Sequence, residues 1–137
     1  MDYRKHRSQK FWWHFVSFPI LWLPLIGVLV LDLLVTIYHE ICFPIYGIEK
    51  VKRSEYILIM DRNKLAYLNP LEKLGCMYCG YANGFLLYAK EIAGRTEKYW
   101  CGITHEGKPG FKAHPDQTKR GFARFGDEKD LKEKYGA

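Results

Sequence analysis

The stretch that decides the fold runs from Phe11 to Tyr38 and reads FWWHFVSFPILWLPLIGVLVLDLLVTIY. Its only carboxylate is Asp32, and its only other ionisable side chain is His14. A helix needs about 20 such residues to cross a hydrocarbon layer about 30 Å thick. The stretch therefore predicts a membrane-embedded helix, and the apolar character that continues to Tyr46 extends this segment over residues 11–46.

Three alternatives compete with a single membrane span. A cleaved signal peptide would have an apolar region of about 7–15 residues followed by small residues, and neither feature is present. A buried core helix would need a larger soluble domain to cover so wide an apolar surface. Because Pro19 and Pro24 each remove a backbone donor, we expect a bent helix, and a re-entrant hairpin stays open. Aromatic residues flank the span at positions typical of membrane interfaces, namely Trp12, Trp13, Tyr38, Phe43 and Tyr46.

The charged residues divide the chain into four parts. Of the 137 residues, 21 are Lys or Arg and 15 are Asp or Glu, which gives a net charge of +6. With 26% charged and 16% aromatic residues, the composition excludes an intrinsically disordered chain. We expect a basic N-terminal flank at residues 1–10, the membrane segment at 11–46, a small soluble domain at 47–105, and a charged tail at 106–137 that Gly and Pro interrupt.

A polar stripe interrupts the apolar segment near its end. Asp32, Thr36 and then His39 or Glu40 follow the spacing of one helix face. A carboxylate is costly in lipid and normally faces protein or water. We therefore expect this stripe to pack against a partner, either a larger integral membrane complex or a second copy of the chain. A proton or ion site is the alternative interpretation.

The soluble part predicts a mainly α structure with a small β component. Residues 56–60 and 65–68 are rich in strand formers around the polar turn 61–64, which predicts a β-hairpin. Asn69-Pro70-Leu71-Glu72 has the cap, proline and glutamate of a helix start, and Gly75 is the expected end of that helix. A second helix is expected from about Gly84 to Cys101, where apolar residues recur at three- and four-residue steps.

Cysteine and histidine spacing predicts a metal site. Cys76-x-x-Cys79 aims two thiolates at one point, and Cys101 and His105 share one helix face, so the four could form a tetrahedral site. A closed site of this type favours structural zinc, with iron as the alternative, and Glu97 would orient the histidine. A straight helix over 84–101 would place its ends about 26 Å apart. The two pairs therefore meet only if the helix breaks at Gly94, if residues 79–84 run back beside it, or across a dimer. Free cysteines, a disulfide or a thiol-redox pair are the alternatives.

The chain resembles an uncharacterised family of small bacterial membrane proteins. The likeness covers residues 20–105 and rests on Cys42-Phe43-Pro44, Cys76-x-Tyr78-Cys79-x-Tyr81-x-Asn83-Gly84 and Tyr99-Trp100-Cys101-x-x-x-His105. It departs from the family at Gly94, where members have Ala, and at 102–106, where they read Pro-Ile-Lys-His-Ala after the cysteine. The resemblance implies metal binding and a bacterial inner membrane, and a helix that stays continuous through residue 94.

These observations favour a non-enzymatic accessory subunit that docks onto a larger membrane complex in the bilayer. No catalytic set of Ser, His and Asp, phosphate loop or carboxylate pair can be argued from the chain. An iron-based electron-transfer or thiol-redox protein is the first alternative. The second is a membrane-tethered binder of nucleic acid or anionic lipid, with nucleic acid the less favoured; its basic and aromatic residues would be Lys108, Lys112, Lys119, Arg120, Arg124, Phe111, Phe122 and Phe125. We expect the soluble part to be cytoplasmic, where thiols stay reduced.

Overall fold

The computed structural model describes residues 11–59, 61, 64–112 and 116–136, so the basic flank 1–10 lies outside the described residues. Helix α1 spans Phe11–Tyr46, α2 spans Pro70–Trp100, α3 spans Asp116–Lys119 and α4 spans Glu128–Tyr135. A 3-10 turn covers Arg53–Glu55. The described ranges contain no β-strand beyond an isolated parallel bridge between Ile103 and Ala123. The expected mainly α fold is confirmed.

Helix α1 is continuous over 36 residues and passes through Pro19 and Pro24 without ending. Its length is about 54 Å at about 1.5 Å per residue. A hairpin that turned back within this segment would interrupt the helix, so the re-entrant alternative is wrong. Helix α1 is long and apolar enough to cross a membrane, and only 6% of its most apolar window is buried in the protein. It is therefore not the core helix of a soluble domain.

Helix α2 begins where the sequence predicts and ends much later. The Asn69 side chain accepts a hydrogen bond from the Glu72 backbone at 2.8 Å, and the Glu72 carboxylate accepts one from the Asn69 backbone at 3.1 Å. The expected end at Gly75 is wrong, because the helix continues for 31 residues to Trp100. One glycine costs a helix only about 1 kcal/mol, which packing along α2 offsets. The two predicted helices are one.

The two long helices run parallel to each other. Their contacts pair Asp32 with Tyr81 and His39 with Tyr88, in ascending order on both helices. The same order continues at the ends, where the rings of Tyr46 and Tyr99 stack at 4.9 Å. A parallel pair needs a connection that returns along its full length. Residues 47–69 provide it, and the core lies between this connection and the helices, around Phe43, Val51, Phe85, Tyr88 and Ile92.

The predicted β-hairpin does not form among the described residues; Met60, Arg62 and Asn63 of that prediction lie outside them. Residues 56–59 instead run along α2, where the carbonyl of Tyr56 lies against Gly84 and that of Leu58 against Gly80. Packing on the helix therefore replaces strand pairing. We call residues 47–59 the strap.

The C-terminal part folds back onto the end of α2. Phe122 and Ala123 are buried, and the Ala123 N–H donates to the Gly102 carbonyl at 2.7 Å. The Tyr135 hydroxyl of α4 also donates to the Gly102 carbonyl, at 3.2 Å. Gly102 has a positive φ of 60°, and a Cβ there would lie 2.6 Å from the Tyr135 hydroxyl oxygen. The region predicted as a tail is thus tied to α2 at residues 116–136.

Candidate functional site

The most developed cluster of polar side chains lies between α1, α2 and the strap. We call it the seam; it consists of Asp32, Thr36 and His39 of α1, Val51 and Arg53 of the strap, and Tyr81 and Tyr88 of α2. It forms because the strap comes close to α2 at two glycines one helical turn apart. A Cβ on Gly84 would lie 2.5 Å from the Tyr56 carbonyl oxygen, and one on Gly80 would lie 3.0 Å from that of Leu58. Only a residue without a side chain leaves this room.

Asp32 is the centre of the seam. Its two carboxylate oxygens accept hydrogen bonds from both terminal nitrogens of Arg53, each at 2.6 Å. The Tyr81 hydroxyl donates to Oδ2 at 2.5 Å, and the Thr36 hydroxyl donates to Oδ1 at 3.3 Å. A planar guanidinium and a carboxylate match in this two-bond geometry. Asp32, 8% exposed, is therefore paired within the chain by groups from all three elements.

The ring of Tyr88 links Asp32 to the second half of the seam. The Arg53 guanidinium carbon lies 5.6 Å from the centre of the Tyr88 ring, within the range of a cation–π contact. The Tyr88 hydroxyl lies 3.2 Å from Nδ1 of His39. Nε2 of the same histidine accepts the backbone N–H of Val51 at 2.9 Å. His39 therefore connects α1 to the strap and to α2.

Charged groups at the rim hold the strap to both helices. Lys50 donates to the Glu40 carboxylate of α1 at 2.5 Å. Arg95 of α2 donates to the Glu49 carbonyl at 2.7 Å and to the Glu91 carboxylate at 2.9 Å. The Lys50–Glu40 pair is exposed, and ion pairs of this type contribute little, so the buried groups dominate the fixing of the strap.

The seam perturbs the titration of its own members. Burial, followed by the hydrogen bond to Asp32, raises the pKa of Tyr81 above its ordinary value near 10. The hydrogen bonds to Asp32 raise the pKa of Arg53, so this guanidinium keeps its charge. Burial also raises the pKa of Tyr88. The tyrosines therefore remain neutral hydrogen-bond donors. Asp32 and Arg53 form an ion pair whose carboxylate oxygens are occupied by hydrogen-bond donors.

The polar stripe predicted from the sequence lies on one face of α1 but meets the same chain. Asp32, Thr36 and His39 contact the strap and α2, while Glu40 is exposed and pairs with Lys50. A separate protein is therefore not needed to satisfy these groups. The sequence predicts that this face of α1 contacts a partner protein, but the face is covered by the strap and α2 of the same chain. The sequence pattern could not show that the strap returns along α1.

The predicted metal ligands do not meet within one chain. Cys76 and Cys79 lie in the first half of α2, and Cys101 follows its last residue, so Cys79 and Cys101 are about 33 Å apart along one continuous helix. Among the described residues, no group of three or more His, Cys, Asp or Glu side chains could hold a metal ion. The structure therefore does not bring Cys76, Cys79, Cys101 and His105 together in one chain, and the zinc site built from them stays a prediction.

The second ligand pair remains close together without forming such a site. Cys101 and His105 line one open pocket with Glu97, whose carboxylate lies 3.9 Å from the His105 Nε2. Glu97 also accepts a hydrogen bond from the Gln117 amide at 2.8 Å. The predicted orientation of His105 by Glu97 is therefore only a loose contact, and Glu97 instead ties the C-terminal part to α2.

Sequence reasoning missed the strap side of the seam. Arg53 stood out only as one of several basic residues after the apolar segment, and Tyr81 as part of a family motif. One local signal was present, because Gly80 and Gly84 have the small-xxx-small spacing that lets another backbone approach a helix. That spacing could have predicted a close contact on this face of α2.

Some of the basic and aromatic residues of the C-terminal part are engaged in the fold. Phe122 is 3% exposed, so its ring cannot stack on a base. Arg120 pairs with Glu91 of α2, and Arg124 pairs with Asp127 at 2.8 Å. Two of the cations and one of the rings that a nucleic-acid or lipid binder would use thus have intramolecular roles. Phe111 and Phe125 remain about half exposed.

Comparison of the chain with protein-family models, with curated proteins and with solved structures found no match.

Proposed function

We propose that this chain is a non-enzymatic accessory subunit, anchored in a membrane by α1 and docked onto a larger membrane protein complex. The docking surface in this proposal is the face of α1 opposite the seam, which we call the outer face. Its side chains are large, apolar and exposed along the helix: Ile20, Leu23, Ile26, Val30, Leu33, Leu34, Ile37, Ile41 and Ile45. No charged side chain interrupts this face.

The length of the outer face supports a protein partner. From Ile20 to Ile45 it extends about 38 Å, whereas the hydrocarbon layer is about 30 Å thick. The stretch of α1 before Asp32 contains 21 residues, which is enough to cross that layer alone. The outer face beyond Asp32 is then apolar surface that lipid does not cover, and such surface typically marks a protein contact.

The strap supports the same placement of the helix. It lies beside the second half of α1, and its charged side chains are exposed at Lys50, Lys52, Arg53 and Glu55. Charges are costly in hydrocarbon, so this half of α1 lies beyond it. The same half exposes Ile41 by 56% and Ile45 by 73% on its other side. If the outer face packs against an apolar surface of a partner, the strap side of α1 can face water while its other side stays covered. The exposed apolar side chains opposite the charged strap are the observation that carries the proposal.

Retention of α1 is part of the proposal. An N-terminal apolar helix of this length has the composition of a signal sequence as well. Removal of α1 would take away Asp32 and His39 and leave the charge of Arg53 and the N–H of Val51 without their partners. The packing of α1 on α2 therefore favours a permanent anchor over a cleaved leader.

A paired substitution on the two sides of the helix pair tests the docking face. The variant I37N/I41N places two polar side chains on the outer face, and L86N/L87N places two on the exposed surface of α2 as the matched control. We expect the native complex, extracted in mild detergent, to lose its larger partner only in I37N/I41N, while both variants stay in the membrane fraction. A photo-crosslinker at Ile41 should yield one discrete adduct.

The mass of that adduct distinguishes a heterologous partner from a second copy of the chain. A wild-type chain that runs as a monomer in mild detergent and crosslinks at Ile41 only to lipid would contradict the docking proposal.

A further inference from the structure

The imidazole of His39 is 2% exposed, and one of its nitrogens holds the strap. The backbone N–H of Val51 donates to Nε2 at 2.9 Å. An imidazole nitrogen accepts a hydrogen bond only when it carries no proton, so this bond requires the neutral ring with its proton on Nδ1. Nδ1 then faces the Tyr88 hydroxyl oxygen at 3.2 Å and the Glu40 carboxylate at 3.4 Å. Nδ1 keeps its partners in either protonation state, whereas Nε2 has its partner only in the neutral form.

Protonation of Nε2 would bring two N–H groups against each other. The Val51 amide cannot accept that proton, and it cannot turn away without moving the Val51 side chain, which is 5% exposed in the core. A buried donor without an acceptor costs about 1–3 kcal/mol, and more when it is charged. The charged imidazole and the closed strap are therefore mutually exclusive.

The charges around His39 act on its protonation in both directions. They come from all the elements packed against it: Glu40 and Asp32 of α1, Lys50 and Arg53 of the strap, and Tyr88 and Arg95 of α2. The nearest carboxylate, Glu40, is paired with Lys50, and Asp32 is paired with Arg53. Arg95 adds a further positive charge. Glu40 lies against Nδ1, so it does not relieve the clash between a protonated Nε2 and the Val51 N–H.

We propose that His39 is an acid-sensitive switch that controls closure of the strap over the seam. At neutral pH the Val51 bond keeps residues 48–53 on α1 and places Arg53 on Asp32. Protonation breaks the bond, releases this part of the strap, and removes Arg53 from the carboxylate. The switch lies within one chain, so it stands whether or not the outer face binds a partner.

Hydrogen exchange of the Val51 amide tests the switch in the full chain in detergent micelles. Opening the strap removes the Val51 donor from Nε2, so protonation of the imidazole favours the open form, and acid shifts the closure equilibrium by up to about tenfold per pH unit. We expect the Val51 protection factor, corrected for intrinsic exchange, to fall at least tenfold from pH 7.5 to pH 5.0.

The variant His39→Gln separates protonation from other effects of acid. Its amide oxygen extends to about the place of Nε2 and accepts the Val51 N–H at any pH. We expect its protection factor to change less than twofold over the same range. His105→Gln, at a histidine whose side chain is 61% exposed, is the matched control and should behave as the wild type. Equal losses in the wild type and in His39→Gln would overturn the proposal.

Nitrogen NMR of the wild-type imidazole gives a readout that needs no variant to fold. We expect Nε2 of His39 to be unprotonated at pH 7.5, and its protonation to follow the same pH curve as the loss of Val51 protection. A protonated His39 beside a Val51 amide that stays protected would refute the switch.

Discussion

The bidentate pair of Asp32 and Arg53 should be the largest single polar contribution to closing the strap. Its two bonds at 2.6 Å are charge-assisted. The Asp32 side chain is 12% exposed and that of Arg53 43%, so the pair lies between a buried one, whose disruption costs about 3–5 kcal/mol, and a surface one, which contributes about 0–1 kcal/mol. We expect a coupling energy of about 2 kcal/mol.

A double-mutant cycle measures this coupling. Arg53→Met should destabilise the chain by about 2–3 kcal/mol, because it leaves the carboxylate with only two hydroxyl donors. Asp32→Asn should cost about 1–2 kcal/mol, since the partly exposed guanidinium can turn to water. The double variant should then cost about 2 kcal/mol, which is less than the sum of the two. The assay is denaturant unfolding in mild detergent, followed by tryptophan fluorescence.

A second cycle on the same strap provides the control. Lys52 and Glu55 form an exposed pair at 3.7 Å, with side chains 77% and 60% exposed. Their coupling should stay below about 0.5 kcal/mol. If the Asp32 and Arg53 substitutions were also additive within about 0.5 kcal/mol, the seam would be no stronger than a surface ion pair and our reasoning on it would fail.

Three further predictions follow from the close contacts and the seam. Gly84→Ala should destabilise the chain by about 1–3 kcal/mol in the same unfolding assay, because the new Cβ meets the backbone of the strap. Gly75→Ala is the control: a Cβ there has nothing within 4 Å, so this change should stabilise α2 by about 0.5–1 kcal/mol. The phenol of Tyr81 contributes fully to stability below pH 10 and loses its contribution as the pH rises through its raised pKa. Ultraviolet titration should show one tyrosine that ionises at higher pH than ordinary tyrosines, and Tyr81→Phe should lack this step. A Cβ on Gly94 would overlap the guanidinium of Arg120, so Gly94→Ala should move the Arg120 side chain off α2 and increase proteolysis of the C-terminal part. Arg120→Ala should increase proteolysis in the same way. Unchanged proteolysis in both variants would count against this contact.

The sequence was sufficient for the features that depend on local pattern. The apolar run predicted α1, and the Asn69 to Glu72 box predicted the first turn of α2. The face shared by Asp32, Thr36 and His39 followed from helical spacing alone. Each of these depends on residues a few positions apart, so no knowledge of tertiary contacts was needed.

The errors arose where contacts distant in sequence decided the outcome. Glycine at position 75 predicts a helix end, but packing along α2 continues the helix past it. The strand-forming residues 56–59 pack on a helix surface in place of a partner strand. The predicted metal site requires a helix break, or a chain that runs back beside the helix, to bring Cys79 near Cys101. The continuous helix α2 instead holds these two cysteines far apart.

The parallel arrangement of α1 and α2 explains why the strap is the sensitive element of this fold. Antiparallel helices need only a short turn, whereas this pair needs 23 residues to return along its length. Such a connection exposes backbone polar groups unless something satisfies them. Here His39 accepts from Val51, and the glycines of α2 admit the carbonyls of Tyr56 and Leu58. The same few contacts therefore close the connection, pair the carboxylate of α1, and leave the outer face of α1 free for another protein.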